Sequence, residues 1–323
     1  MADEEVRERR IVVAVDESEQ SMYALSWCLE NLVCDSESGN IKDTLILAFA
    51  RPPRTVYTAL DGTAGYLFST EVVDSMEKYS LEVAASVIAK ATAICKDLKH
   101  VKVDTKVGCG DARDVICDMV EKVGGDILVM GSHGYGLIKS GGGIAMAGPA
   151  TKGSKIVVAV NDSDESMHSL SWCLQNFVPC RKARNSDITL VLLYVKPAPP
   201  PPDHTGLFWS KIGAMLEEYG KETALTVMEK AKEMCKSCAD LDNVKIESIV
   251  ASGDARDVIC ETVDKLAADI LIMGGHPLSA TKSNSESVSE HCAQKVKCPV
   301  LIVKQPGHGH GHGHCRNHPT HRS

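Results

Sequence analysis

The chain has 323 residues, 44% hydrophobic and 24% charged, which is the balance of an ordinary soluble globular protein and enough length for two domains. A net charge of -8 argues against nucleic acid or an anionic membrane as the main partner, since neither is drawn to an acidic surface. Aromatics at 4% leave little for a base-stacking surface.

Met1–Arg10 is a run of charges without an apolar stretch, so no secretory signal is expected, and no segment approaches the length of a bilayer span. Ile11–Val15 (IVVAV) is wholly apolar and β-branched, as a strand buried on both faces must be. Leu25, Cys28, Leu29 and Leu32 fall at helical spacing behind two candidate N-caps, Ser18 and Ser21. Thr44–Ala50 is a second strand, Ser75 to Asp97 a long amphipathic helix, and Val101–Val107 a third strand. Asp111 caps a helix carrying Val115, Ile116, Met119 and Val120, and Asp126–Met130 is the fourth strand.

The order then repeats. IVVAV returns at Ile156–Val160, LSWCL of Leu25–Leu29 at Leu170–Leu174, and GDARDVIC of Gly110–Cys117 at Gly253–Cys260. Offsets of 145, 145 and 143 residues mean tandem duplication. The second copy continues with strands at Ile188–Val195, Val244–Val250 and Asp269–Met273 and a helix from Trp209 to Cys235. It adds a helix, Ser287 to Lys295, and a strand, Pro299–Lys304. The first copy lacks these last two elements. Alternating strands and helices give a parallel sheet covered on both faces.

The expected division is a charged lead (1–9), a truncated first domain (10–140), a Gly/Ala-rich linker (141–154), a second domain (155–306) and a disordered tail (307–323). The tail reads GHGHGHGH, then Cys315, His318 and His321. Imidazoles on a flexible chain can capture a divalent metal, without the fixed geometry of a structural site; a compositional expansion with no role is the alternative.

Thirteen cysteines do not read as a disulfide framework. Cys28 and Cys173, and Cys117 and Cys260, recur within apolar helical patterns, as buried free thiols of a reducing compartment would. Cys235 and Cys238 form an isolated C-x-x-C at a helix end. Trp27 and Trp172 are core or near-core helix residues, and Arg113 and Arg256 first-turn surface residues.

Parallel sheets bind ligands at the carboxyl ends of their strands. Asp16-Glu17-Ser18 and Asn161-Asp162-Ser163 follow the first strands. Neither is a glycine-rich dinucleotide loop, and no P-loop occurs. A carboxylate there suits ribose hydroxyls or a base edge and repels phosphate. Gly131-Ser132-His133-Gly134 follows the fourth strand, where glycines allow positive φ and close backbone approach to an anion. His133 and His276 are either phosphate donors or turn histidines bonding backbone.

As a set, VAVDES, GDARDVI, ILVMGSHGYGLIK and SVSEHCAQKVKCPVLIVK resemble the universal stress protein family, with ALSWCL and GYGLIK similar to plant members. The resemblance runs from about Arg10 to Gln305. It implies two tandem Rossmann-like domains of the adenine nucleotide alpha-hydrolase type, with parallel sheet order 3-2-1-4-5, the first copy stopping at four strands. It implies a stress-response role and ATP, which some members bind and others do not. Carried over by motif, the nucleotide site of copy one is Asp16, Ala50, Met130, Gly131, His133 and Gly134. Copy two offers Val195, Met273, Gly274, His276 and Ser287, but Asn161 replaces the aspartate, Pro277 the second glycine and Glu286 the later one.

The reading is a non-enzymatic, cytoplasmic or nuclear stress protein with regulatory adenine-nucleotide binding. The alternative is an interaction scaffold or chaperone-like protein that has lost the nucleotide. An adenylating enzyme on this fold would need a Ser-Gly-Gly-rich loop where Asp16-Glu17-Ser18 stands. Family dimers through the fifth strand imply a homodimer or protein partners at Pro299–Lys304. Without a fifth strand of its own, copy one would leave Asp126–Met130 as an apolar edge, expected to be covered by copy two's surface or by another protein.

Overall fold

The computed structural model describes residues 7–34, 41–52, 70–131, 154–182, 187–198, 207–238, 241, 244–275 and 287–304. The linker's 141–153, the tail, His133, Gly134, His276, Pro277 and Glu286 lie outside these residues. The chain divides into two compact units, one on each repeat, and unit one also takes in Cys180, Arg181 and Lys182.

Unit one runs β1 (Arg7–Ala14), α1 (Glu19–Asn31), β2 (Ile41–Arg51), α2 (Thr70–Ile94), β3 (Lys102–Cys109), α3 (Ala112–Val123) and β4 (Ile127–Val129). Its described strands form one parallel sheet of order β3-β2-β1-β4. Ile11, Val12 and Val13 are wholly buried, because a central strand has no solvent face. Ser18 is the cap of α1, accepting the Ser21 N–H; Ser21 lies inside the helix and is buried. Gly110, at φ +150, gives the chain a backbone that L side chains rarely adopt just before the Asp111 cap, and Gly253 does the same at φ +149 before Asp254.

β1 starts four residues earlier than the apolar run because Arg9 is buried in it. Its guanidinium makes two 2.8 Å bonds to Asp43 opposite on β2. β4 is shorter than the expected Asp126–Met130. Asp126 uses its carboxylate to accept the Arg10 N–H at 2.7 Å, and Met130 is 55% exposed.

Unit two runs β5 (Ser154–Ala159), α4 (Asp164–Trp172), a π-helical turn (Cys173–Phe177), the start of α5 (Val178–Lys182, whose last three residues belong to unit one), β6 (Ile188–Lys196), α6 (Leu207–Ser237), β7 (Val244–Ser252), α7 (Ala255–Leu266), β8 (Ile270–Gly275), α8 (Val288–Lys295) and β9 (Val300–Lys304). Its parallel sheet has order β7-β6-β5-β8-β9. That is the expected 3-2-1-4-5 arrangement, complete here and one strand short among the described residues of unit one. The π turn falls where copy two carries one extra residue, Pro179, which has no N–H for the preceding turn.

The expectation that the repeated cysteines are buried free thiols holds for Cys28 and Cys173. Cys117 is free but exposed and Cys260 is half-buried, since α3 buries no residue and α7 only Ile259 and Val263. The absence of disulfides is corrected by one bond, Cys34–Cys180. No helix among the described residues is long and apolar enough to cross a membrane.

Candidate functional site

The carboxyl ends of β1, β2 and β4 lie side by side, because β1 pairs with β2 on one edge and β4 on the other. This brings Asp16, Ala50, Met130 and Gly131 to one end of the unit-one sheet. Asp16 turns the chain out of the sheet. Its Oδ1 accepts from the Ser18 N–H at 2.8 Å and from the Ser18 hydroxyl, while its own N–H donates to Ser21 Oγ at 3.0 Å. In unit two, Asn161 builds the same turn: its Oδ1 accepts from the Ser163 N–H at 2.9 Å and its N–H donates to Ser166 Oγ at 2.8 Å. The turn needs only a side-chain carbonyl oxygen, so the charge of Asp16 is surplus to it.

Gly131 has a structural reason. A Cβ there would lie 2.6 Å from the Gln20 backbone carbon, inside the first turn of α1. Gly274 meets the Glu165 and Ser166 backbone in the same way. Neither has positive φ, so Gly131 is needed for its missing Cβ rather than for a left-handed backbone, and Gly134 lies outside the described residues. Met130 is exposed where its counterpart Met273 is 5% exposed; Ala50 and Val195 are half-buried near the ends of β2 and β6. Ser287 is the N-cap of α8 in a capping box: its hydroxyl accepts the Glu290 N–H and Glu290 accepts the Ser287 N–H. Asp111 and Asp254 cap α3 and α7 and also hold Arg113 and Arg256 through two side-chain bonds each.

Beside this end of unit one lies a cavity of about 560 Å³. Phe49 and Pro52 form the β2 side, Glu17 the β1 side, and Val72, Met76, Tyr79, Ser80 and Val83 the α2 wall. None of the described motif-derived residues is among its lining; Glu17 is the immediate neighbour of one. The lining is apolar but for the Glu17 carboxylate, two serines and the Tyr79 phenol. Val72, Met76 and Tyr79 are 42%, 50% and 67% exposed, so this face of α2 is apolar without being core. Ser80 Oγ is buried and has no hydrogen-bond partner among the described residues.

Sequence reasoning missed this wall. Its signal was the spacing 72, 76, 79, 80 and 83, one helical face, facing the residues that end β2. At the aligned positions unit two has Asp162 for Glu17, Tyr194 for Phe49, Tyr219 for Tyr79 and Gly220 for Ser80. The Tyr194 hydroxyl is pushed above its usual range by burial, then by the charges of Asp162 and Tyr219. The two ends are therefore chemically different. Three or more metal-ligating side chains do not come together among the described residues, and the histidines of the tail lie outside them.

The universal stress protein family model matches residues 8–142 and again 153–304. The chain belongs to the universal stress protein family. A curated member, universal stress protein PHOS34 of Arabidopsis thaliana, is 26% identical over 171 residues, covering 47% of this chain; the match spans 62% of that relative's length. A universal stress protein structure from Archaeoglobus fulgidus covers 94% of this chain and 98% of its own at a TM-score of 0.51 and 14% identity, a likeness of fold. A family member from Arabidopsis thaliana with AMP bound is 23% identical, covering 47% of this chain and 92% of its own at a TM-score of 0.34.

Proposed function

We propose that this universal stress protein is a non-enzymatic stress-response protein that binds an adenine nucleotide in unit one. The observation that carries the reading is the Ser80 hydroxyl, buried and without a partner among the described residues, in an apolar cavity at the carboxyl ends of the strands. A buried hydroxyl without a partner costs free energy that a bound polar edge recovers. Phe49, Met76, Tyr79 and Val83 suit a flat base, Ser80 its polar edge, and the Glu17 or Asp16 carboxylate ribose hydroxyls. The phosphates of ATP would point away from these carboxylates, toward Gly131.

In unit two, Gly220 removes the hydroxyl and Tyr194 fills the place of Phe49 with a larger polar group, so that unit is assigned no nucleotide. Titration calorimetry of the full chain with adenosine, AMP and ATP with Mg²⁺ tests this. One site is expected, and Ser80→Ala should weaken it roughly 5–30-fold. Absence of binding for all three ligands would defeat the reading.

A second reading, a surface for other proteins, is favoured by α6, where Met215, Tyr219 and Leu225 are each more than 60% exposed. On that reading β9 is the proposed contact for a second copy, and Ser80→Ala leaves function in stressed cells unchanged.

A further inference from the structure

Among the described cysteines ten are free, and only Cys34 and Cys180 are joined. The two stand at matching points of the repeat, Cys34 directly after Leu32-Val33 and Cys180 after Phe177-Val178-Pro179. Their Cα atoms are 5.8 Å apart, within the span a disulfide requires. A buried ion pair sets both sulfurs in place. Asp43 Oδ2 accepts the Cys34 N–H at 2.8 Å and the Arg9 Nη2 proton at 2.8 Å. Arg9 Nη2 also donates to the Leu32 carbonyl at 2.7 Å and lies 3.7 Å from Cys180 Sγ. Arg9 and Asp43 are 2% and 1% exposed, so this frame is fixed by packing as well as charge.

We propose that Cys34 and Cys180 are a reversible dithiol–disulfide site, oxidised by a peroxide and reduced by an external dithiol. Cys34 is half-buried and within reach of solvent, whereas Cys180 is 3% exposed. In oxidation the Cys34 thiolate attacks one peroxide oxygen, the O–O bond breaks, and hydroxide leaves as water after taking a proton, giving a sulfenic acid. The Cys180 thiolate then attacks the Cys34 sulfur, the S–O bond breaks, and a second hydroxide leaves as water. Two thiols and one peroxide become one disulfide and two waters.

In reduction a thiolate of the external dithiol attacks Cys34 Sγ, and the S–S electron pair passes to Cys180 Sγ. That sulfur has an Arg9 N–H beside it. Because Asp43 matches the Arg9 charge, the help is a directed donor rather than a net positive field. The second external thiol then displaces Cys34, leaving two protein thiols and an oxidised external dithiol.

Competing thiols are held back by burial. It raises Cys95 and Cys235 to about 11 and Cys292 and Cys298 to about 12. Cys109 and Cys117 are exposed and serve as internal controls.

The bond ties positions 146 residues apart, so its loss frees much of the unfolded chain. The full-length protein would be treated with hydrogen peroxide or dithiothreitol without denaturant, alkylated, digested and read by mass spectrometry. A Cys34–Cys180 cross-linked peptide should appear after peroxide, vanish after dithiothreitol, and persist in Cys109→Ser and Cys117→Ser. Wild type should lose roughly 5–15 °C of thermal midpoint on reduction. Cys34→Ser and Cys180→Ser should show no such dependence. Full alkylation of both cysteines after peroxide would overturn the proposal. So would a cross-link that survives excess dithiothreitol in the folded protein, since that is a permanent bond.

Discussion

The same place in the two sheets carries opposite chemistry. Where β1 meets β2, Arg9 faces Asp43; where β5 meets β6, Ser154 faces Ile188. Both residues of the first pair are buried and bonded to each other. Ser154 is buried with its hydroxyl unpartnered among the described residues. One fold thus accepts either a paired charge or an uncharged pair, and the difference lies in what happens when one member is removed. A second contrast runs along the outer helices. α7 packs on α8 and buries Ile259 and Val263, while α3 buries nothing. Unit two is closed by its last helix and strand; the described part of unit one has no counterpart to them.

Breaking the first contrast should give the largest effect. Asp43→Ala leaves the Arg9 charge buried without its partner and should cost about 3–5 kcal/mol in denaturant unfolding. Ser154→Ala removes an unpaired hydroxyl and should be neutral or slightly stabilising. The second contrast predicts that Ile259→Ala costs about 2–5 kcal/mol, whereas Ile116→Ala, at the matching but half-buried position of α3, costs about 1–2 kcal/mol.

The smallest effect compares the two helix caps in acid. Asp111 is held down at about 2, against an ordinary 3.8, first by the Arg113 side chain and then by the Arg113 backbone N–H. Asp254 is lowered by the same two bonds from Arg256. A depressed carboxylate contributes stability that is present above its unfolded value and fades as pH falls through its folded one. The Asp111 cap should therefore hold down to about pH 4 and be lost toward pH 2, seen as a carboxyl shift in an NMR titration, and the Asp254 midpoint should shift in the same direction. An Asp111 midpoint near 4 would remove the Arg113 pairing from the account.

Much of this was legible in the sequence. IVVAV and its repeat could only be central strands, and GDARD carries its own positive-φ glycine and cap. The Arg9–Asp43 pair was not, because strand register decides which charges meet and two residues 34 apart in sequence carry no sign of it. The Cys34–Cys180 bond was hidden for the same reason, compounded by the extra Pro179. At the candidate site, the motif pointed to the loops after β1 and β4. There Gly131, like its counterpart Gly274, answers to helix packing, and Asp16 builds a turn that asparagine builds equally well. The α2 wall was hidden because its apolar face looks like core until the structure shows it exposed.

The central proposal is that the unit-one cavity takes an adenine nucleotide, whereas unit two, whose described cavity of about 370 Å³ is lined by Lys196, Lys221, Leu225 and Val250 instead, does not. Hydrogen–deuterium exchange of the full chain, with and without saturating ATP and Mg²⁺, tests it most directly. Slowed exchange is expected at residues 15–21, 48–52 and 72–83, with no change at 160–166 and 193–198. Equal protection of both units, or protection confined to unit two, would contradict it.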